Sequence, residues 1–312
     1  MSPSNSKNIN LTLLKPLLYF SLFRHPLTEE EIFAFSEMKS KDQVKEELDR
    51  LVNDQVIYYI DGFYLCENEK SHVKRRLTGN KMAKEIHDKA NRVSRFISKF
   101  PYVEGVGISG SLSKGYYDED GDIDFFIITS PNRLWIARTL LILYKKIFLL
   151  NSRKYFCVNY FISTNALEID EKNRFTATEL VTLLPMYGNG SFHEFYKKNK
   201  WVNNFLPNKT VAEGLEKLNP VNKPLFTKLV EKSLNNKLGD YLDSFFLRIT
   251  YKKWKLKFKK FNQKQFNIAL KSTKNVSKHH PLNFQRQVIE RLNIKYDECL
   301  ENHNIHIEKE HA

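Results

Sequence analysis

The chain has 312 residues, a hydrophobic content of 41% and a formal net charge of +14 at pH 7. This length predicts about two or three domains, and the hydrophobic content excludes a disordered chain. The longest apolar stretch, residues 134–150, contains Arg138, Lys145 and Lys146, so we do not expect it to span a membrane. The N-terminal segment MSPSNSKNIN lacks the apolar core of a signal peptide. We therefore predict a cytoplasmic protein, with isolated thiols at Cys66, Cys157 and Cys299.

The first part of the chain, residues 1–70, carries signals for three helices and a hairpin. Apolar periodicity predicts the first helix over Leu11–Arg24. Thr28 begins the second helix, with Glu31 at the spacing of a capping box. A third helix follows, and Asp61-Gly62 between two apolar runs predicts a tight β-hairpin. This order of elements resembles a winged helix.

The third helix, expected over Lys41–Gln55 with Ser40 as its cap, bears on what such a domain would bind. A winged helix often reads DNA through its third helix. Here that helix carries four acidic side chains beside three basic ones, a surface that faces phosphates poorly. A structural or partner-docking role is therefore favoured over DNA binding, and both remain open. The basic run at residues 74–76 would help either role.

The most informative pattern follows a helix expected over His72–Lys99. An apolar strand at 106–108 runs into Gly110-Ser111, and a polar loop leads to a second apolar strand that begins with Asp122 and Asp124. Carboxylates two positions apart in a strand point to the same face. Beside a turn with free backbone N–H groups, they suit a divalent cation and a phosphate chain. The alternative is a plain turn followed by an acidic, solvated loop.

The pattern Gly110-Ser111…Asp122-x-Asp124 resembles the active-site motif of the DNA polymerase beta-like nucleotidyltransferase superfamily. The resemblance implies an α+β fold: a small mixed sheet flanked by helices in residues 71–190. This nucleotidyltransferase fold would lie between the winged helix-turn-helix domain, residues 1–70, and a basic helical domain, residues 191–312. The C-terminal helices would then cover the site and select the acceptor.

The same resemblance implies a reaction and a set of ligands. Asp122 and Asp124 would hold Mg²⁺ or Mn²⁺, and a nucleoside triphosphate, with ATP favoured, would lie against Gly110 and Ser111. Within the spacer, Ser113 and Lys114 match the small and basic residues common after Gly-Ser, although Lys114 also fits a solvated loop lysine. The implied chemistry is transfer of a nucleoside monophosphate to an unidentified acceptor, with release of pyrophosphate.

One expected part of such a site is missing from the pattern. Transferring members of the superfamily usually have a third carboxylate on a later strand, but the strand at 155–162 offers only Asn159, alternating with Cys157 and Phe161. An amide binds metal weakly and cannot act as a general base. The remaining candidates are Glu168, Asp170 and Glu179.

Three functions remain open because of this gap. The first is an active nucleotidyltransferase with a one-metal site or a nucleophile that needs no base. The second is a catalytically degenerate regulatory protein that binds nucleotide or nucleic acid. The third is a toxin or antitoxin of the nucleotidyltransferase type. The missing third carboxylate bears on turnover more than on nucleotide binding.

Three large side chains follow the carboxylate strand at Arg133, Trp135 and Arg138. In one interpretation the arginines reach phosphate and the tryptophan flanks a base. In the other, Trp135 packs in the core and the arginines cap a helix. The apolar helix 134–150 itself is expected to be buried against the sheet.

The last third of the chain is helical in pattern and strongly basic. From Ser244 to Ile289 there are ten Lys and two Arg but no Asp or Glu. The segment 251–278 is predicted to be either an electrostatic platform for RNA, DNA or triphosphate, or a solvated basic helix. A core-facing stripe is expected at Leu242, Phe245, Phe246, Ile249, Phe258 and Phe261. His279-His280 is predicted to be an exposed helix boundary, and the oligomeric state is not readable.

Overall fold

The computed structural model describes residues 11–209, 215 and 218–311, so the prediction made on the first ten residues lies outside the described part. The N-terminal elements are the helices α1 (Leu11–Ser21), α2 (Glu29–Phe35) and α3 (Lys41–Asn53) and the antiparallel strands β1 (Tyr58–Ile60) and β2 (Phe63–Leu65). They have the predicted order. Their assignment as a winged helix, and the domain boundaries, stay predictions.

Local signals explain most of this N-terminal unit. The Thr28–Glu31 capping box is present, with the Thr28 N–H donating to the Glu31 carboxylate over 2.9 Å. Asp61 and Gly62 both have positive φ, as a two-residue hairpin turn requires. Ser40 is the N-cap of α3, as predicted, although its side chain forms no capping hydrogen bond within the described residues.

The long helix α4 (Lys70–Ile97) joins the N-terminal unit to the rest of the molecule. Its Arg76 is 4% exposed and forms two hydrogen bonds, of 2.7 and 2.5 Å, with the Glu31 carboxylate. Arg76 also donates to the carbonyl of Pro26. Because the same carboxylate caps α2 and binds α4, the two helices are fixed to each other.

A five-stranded mixed sheet forms the centre, as the fold class predicts. Its strands are β3 (Val103–Ser109), β4 (Asp124–Thr129), β5 (Cys157–Ser163), β6 (Leu184–Gly188) and β7 (Val276–Lys278), in the spatial order β6-β3-β4-β5-β7. The β4–β5 pair is parallel and the other pairs are antiparallel. The end of β3, the starts of β4 and β5, and the end of β7 therefore share one edge of the sheet.

Helices cover both faces of this sheet. One face packs against α4 and α5 (Leu134–Phe148), in a core that includes Ile108, Phe125 and Trp135. The other face packs against α6 (Arg174–Thr182), α7 (Ser191–Lys198) and the N-terminal helices, in a core that includes Phe126 and Phe195. Helix α5 is buried against the sheet, as its apolar run predicts.

The C-terminal region is helical, as expected, and contains α8 (Leu225–Leu234), α9 (Lys237–Lys257), α10 (Gln263–Ala269) and α11 (Phe284–His303). It also supplies β7 to the sheet, which the sequence did not indicate. The predicted apolar stripe is wrong at Phe245 and Ile249, which are 41% and 48% exposed. In the described part of the chain, no helix combines the length and the apolar character needed to cross a membrane.

Candidate active site

The turn after β3 requires glycine. Gly110 has φ +70°, a left-handed conformation that costs other residues about 1–2 kcal/mol. A Cβ at this position would lie 2.6 Å from Oδ2 of Asp124. The backbone of the turn is therefore in direct contact with the carboxylate at the start of β4. The sequence pattern predicted this neighbourhood, and the strand register, which pairs Ser109 with Asp124, produces it.

The residues after Gly110 form one short 3₁₀ turn, Leu112–Lys114. The hydroxyl of Ser113 and the ammonium of Lys114 both donate to the carbonyl of Gly110, over 2.8 and 3.1 Å. Ser113 is buried, whereas Ser111 is exposed in the cleft. The buried serine therefore holds the shape of the turn, and Ser111 is the side chain that faces the open space.

Asp124 is partly accessible from the cleft but surrounded by protein. Burial raises the pKa of its carboxyl to about 6; the hydrogen bond with Cys157 opposes this, and the charges of Asp122 and Glu179 add to it. Carboxylates close enough to raise one another's pKa favour a cation between them. Asp122 lies in the turn before β4, partly exposed, just outside the lining of the cleft.

Asn159 reaches Asp124 because of a β-bulge. The β4–β5 register shifts between Phe125 and Phe126, so Asn159 is the extra residue on β5. Its Nδ2 donates to Oδ1 of Asp124 over 3.0 Å. Beyond the bulge, Phe161 packs in the core of the opposite face, which breaks the alternation expected for this strand. The amide thus lies at the position where the sequence left a third carboxylate missing.

A carboxylate does reach the site, from a helix instead of a strand. Glu179 of α6 lines the same cleft, and its Oε1 lies 2.8 Å from Nζ of Lys114. The other two candidates lie elsewhere: Glu168 is exposed and paired with Lys172, and Asp170 is exposed and paired with Lys271.

The cleft has a volume of about 770 Å³, a floor and two walls. The glycine turn and the strand starts form its floor. The end of α1 and the following turn, residues 20–25, form one wall, and the loop between β7 and α11, residues 279–284, forms another. A smaller cavity of about 110 Å³ adjoins it and is lined mainly by apolar side chains, including Phe126, Tyr160 and Phe195. Segments from both ends of the chain therefore enclose the site.

Several residues of the cleft escaped the sequence analysis. His279 and His280 were expected at an exposed boundary, which is wrong: both rings are partly buried and line the cleft. His25 and Arg153 line it as well. His25 follows the helix predicted over Leu11–Arg24, and Arg153 lies in a loop without any motif. No local signal identifies these residues, because tertiary packing brings them to the site.

Arg133, Trp135 and Arg138 follow β4, and the structural interpretation applies to only some of them. Arg133 donates to Asp240 over 2.6 Å and to the carbonyls of Leu234 and Asn236, so it fastens the C-terminal helices. Trp135 is fully buried. For these two, the structural interpretation holds. Arg138 forms no comparable contact with a carboxylate in the described residues, and its guanidinium lies over an indole ring.

The carboxylates around Asp124 suit a metal ion whose remaining ligands are water and substrate oxygens. Among the described residues, no group of three or more His, Cys, Asp or Glu side chains is arranged to hold a metal ion by itself. Mg²⁺ commonly takes one or two carboxylates and completes its shell with water and substrate phosphates. Two carboxylates, one of them with a raised pKa, fit that mode of binding better than a closed protein cage.

Residues 90–182 match the family model of the nucleotidyltransferase domain. The chain contains a nucleotidyltransferase domain. The match begins within α4, includes the glycine turn and both aspartates, and ends at the last residue of α6, so it also includes Glu179. Searches of curated proteins and of solved structures found no match to this chain.

Proposed function

We propose that this nucleotidyltransferase domain transfers a nucleoside monophosphate from a nucleoside triphosphate, with ATP favoured, to an acceptor, and releases pyrophosphate. The observation that carries the proposal is the contact between the Gly110 turn and the Asp124 carboxylate at the floor of an open cleft. A turn that exposes backbone N–H groups beside a cation site meets the two needs of a triphosphate, which are close approach and charge neutralisation.

The roles follow from position. Asp122 and Asp124 would hold Mg²⁺ or Mn²⁺, which, when bound, neutralises charge on the phosphate oxygens. Gly110 and Ser111 would receive the phosphates, with Ser113 holding the turn. Lys114 supplies a positive charge above the turn, and its pairing with Glu179 keeps it there before substrate arrives.

Glu179 is the carboxylate that we assign as general base. In the transfer step the acceptor oxygen forms a bond to the α-phosphorus. The bond between the α-phosphorus and the oxygen that bridges it to the β-phosphorus breaks, and the acceptor hydroxyl must lose its proton. Asn159 cannot take this proton, whereas Glu179 lines the cleft near Asp124. A base positioned in this way contributes roughly 10²–10⁴-fold in rate.

A regulatory protein that binds nucleotide without turnover is the second candidate. The observation in its favour is the amide of Asn159, which occupies the place of a metal-binding carboxylate and satisfies one oxygen of Asp124. On this proposal, the basic segment 251–278 or the N-terminal unit would bind RNA, DNA or a protein. The cytoplasmic location also stays a prediction.

A thermal-shift screen tests both candidates. The four nucleoside triphosphates are added with Mg²⁺, Mn²⁺ or EDTA to the wild type and to the double variant D122N/D124N. Ligand at about 100 times its Kd stabilises by roughly 2.7 kcal/mol, a shift of a few degrees. A metal-dependent shift that the variant lacks supports nucleotide binding at this site, and an equal shift in the variant contradicts the assignment. Pyrophosphate release then separates the enzyme from the regulator.

A further inference from the structure

Positively charged side chains lie close together beside β5 and β7, at the same edge of the sheet as the carboxylates. Arg153, before β5, and His279, after β7, both line the cleft. Behind them, α5 contributes Arg138 and Lys145, and α9 ends at Lys257. Burial, followed by the charges of these four groups, lowers the pKa of the His279 ring to about 4. The four charged side chains and the neutral His279 ring therefore form one group, which we call the cationic group.

Arg138, one of its two buried members, has no counter-charge among the residues that the structure describes. Arg138 is 9% exposed, and its guanidinium lies 4.8 Å from the ring centroid of Trp254 and 5.5 Å from that of Trp135. Burial alone lowers its pKa to about 10; in the described part of the chain no carboxylate counteracts this. Trp254 belongs to the segment 244–289, and this segment contains no Asp or Glu. A desolvated cation without a partner is unfavourable, and a bound anion would relieve that cost.

The position of the cationic group relative to the glycine turn indicates which anion it would bind. Along the shared edge, the turn follows β3, Asp124 begins β4, and Arg153 and His279 flank β5 and β7. The carboxylates thus lie between the turn and the cationic group. In phosphoryl and nucleotidyl transfer, the attacking and leaving oxygens lie roughly in line on opposite sides of the phosphorus. If the triphosphate occupies the turn, the opposite side belongs to the acceptor.

We propose that the cationic group is a subsite for a phosphate group of the acceptor, and that the acceptor is a small phosphomonoester. This inference rests on the proposed transfer reaction. Arg138 and Lys145 are 9% and 8% exposed and do not line the cleft, so they add positive charge behind Arg153 at one point, which suits a single terminal phosphate. A nucleic acid backbone would instead follow the exposed lysines on the outer side of α9, because it presents phosphates in a row.

The test measures binding by calorimetry on the full chain. A non-hydrolysable ATP analogue with Mg²⁺ is titrated first, and inorganic phosphate, ribose 5-phosphate and ribose are then titrated in its presence. We expect phosphate and ribose 5-phosphate to bind beside the analogue, and ribose to bind much more weakly. Arg153→Gln, an exposed position that should not disturb folding, is expected to weaken both anions about tenfold, the effect of losing one charge-assisted contact. Arg291→Gln, an exposed position on α11, is the matched control and should leave them unchanged.

Three results would overturn the subsite. One is displacement of phosphate by the analogue, which would place both in the same site. Another is equal affinity in Arg153→Gln and wild type. The third is tight binding of a single-stranded RNA oligonucleotide that ribose 5-phosphate fails to displace. Failure of the analogue to bind wild type would count against the proposed function instead, while phosphate binding that depends on Arg153 would still support the subsite.

Discussion

The side-chain amide of Asn159 donates a hydrogen bond of 3.0 Å to the carboxylate of Asp124. A bulge in β5 brings the two together, so the contact is built into the backbone of the sheet. A neutral donor here lets Asp124 stay buried without a second negative charge from β5. Because Asn159 is neutral, the site has one anionic metal ligand fewer. A substitution at Asn159 therefore tests whether the domain catalyses nucleotidyl transfer.

Replacing Asn159 by Asp should increase metal-dependent pyrophosphate release and destabilise the metal-free protein. The added carboxylate supplies a metal ligand, but without metal it repels Asp124 and costs about 1–2 kcal/mol. A pyrophosphate assay measures the first effect, and urea unfolding with EDTA and with Mg²⁺ measures the second. Asn165→Asp adds the same charge at an exposed position and serves as control. Identical Mg²⁺ responses in the two variants would show that Asn159 does not lie at a metal site.

Replacing Gly110 by Ala should abolish nucleotide binding and lower stability. The matched control is Gly115→Ala: Gly115 also has φ +70°, but a Cβ there would have no atom within 4 Å. Both variants bear the cost of the left-handed backbone, about 1–2 kcal/mol, and only Gly110→Ala forces Asp124 to move. Thermal unfolding with and without Mg²⁺ and ATP compares them. Equal nucleotide responses would contradict a role for the turn in phosphate binding.

Replacing Glu179 by Gln should reduce pyrophosphate release by roughly 10²–10⁴-fold while Mg²⁺-dependent nucleotide binding persists. Glutamine keeps the size of the side chain and can still accept a hydrogen bond from Lys114, but it cannot take a proton. Glu168→Gln removes a surface carboxylate from the same part of the chain and should behave as wild type. An unchanged rate in Glu179→Gln would exclude this residue as the base.

The stability of the protein should fall as the pH is lowered from about 6.5 towards 4. Burial is the main cause that lowers the pKa of His25 to about 4, of His279 to about 4 and of His280 to about 3. Between pH 6.5 and 4 these three rings bind more protons in the unfolded chain than in the folded one, whereas Asp124 and Asp243, whose pKa values burial raises to about 6, bind more in the folded one. The three rings outweigh the two carboxyls, so the free energy of unfolding decreases with falling pH.

The Tm of wild type and of His280→Gln, measured across that range, checks this prediction. The variant should show a weaker pH dependence because one of the three titrating rings is gone. His87→Gln, which removes an exposed ring on α4, should keep the wild-type dependence. A wild-type Tm that does not change between pH 6.5 and 4 would contradict the prediction.

Much of the centre of this molecule could be predicted from local sequence patterns. The glycine turn, the two aspartates and the flanking strands are encoded within some twenty consecutive residues, and the register of one antiparallel pair brings them together. The fold class was confirmed for the same reason. The capping box and the hairpin turn likewise depend on neighbours a few positions apart, which is the range over which sequence patterns are reliable.

The rest of the site depends on contacts that no local pattern carries. Glu179 faces Lys114 because α6 packs on one face of the sheet, and the sequence offered Glu179 only as one of three equal candidates. The bulge at Asn159 shifts the alternation of β5 by one residue, which period-two reasoning cannot anticipate. Nothing in the sequence near His279 shows that the preceding residues form a strand beside β5.

The late position of β7 has a consequence for how the chain folds during synthesis. The strands β3 to β6 are complete once residue 188 has been made, but β5 acquires its outer neighbour only at residues 276–278. Until then the backbone of Tyr160–Ile162 is an unprotected sheet edge, the kind of surface on which nascent chains associate. A chain truncated before Val276 should therefore aggregate, because folding of the central sheet depends on residues that are synthesised long after β6.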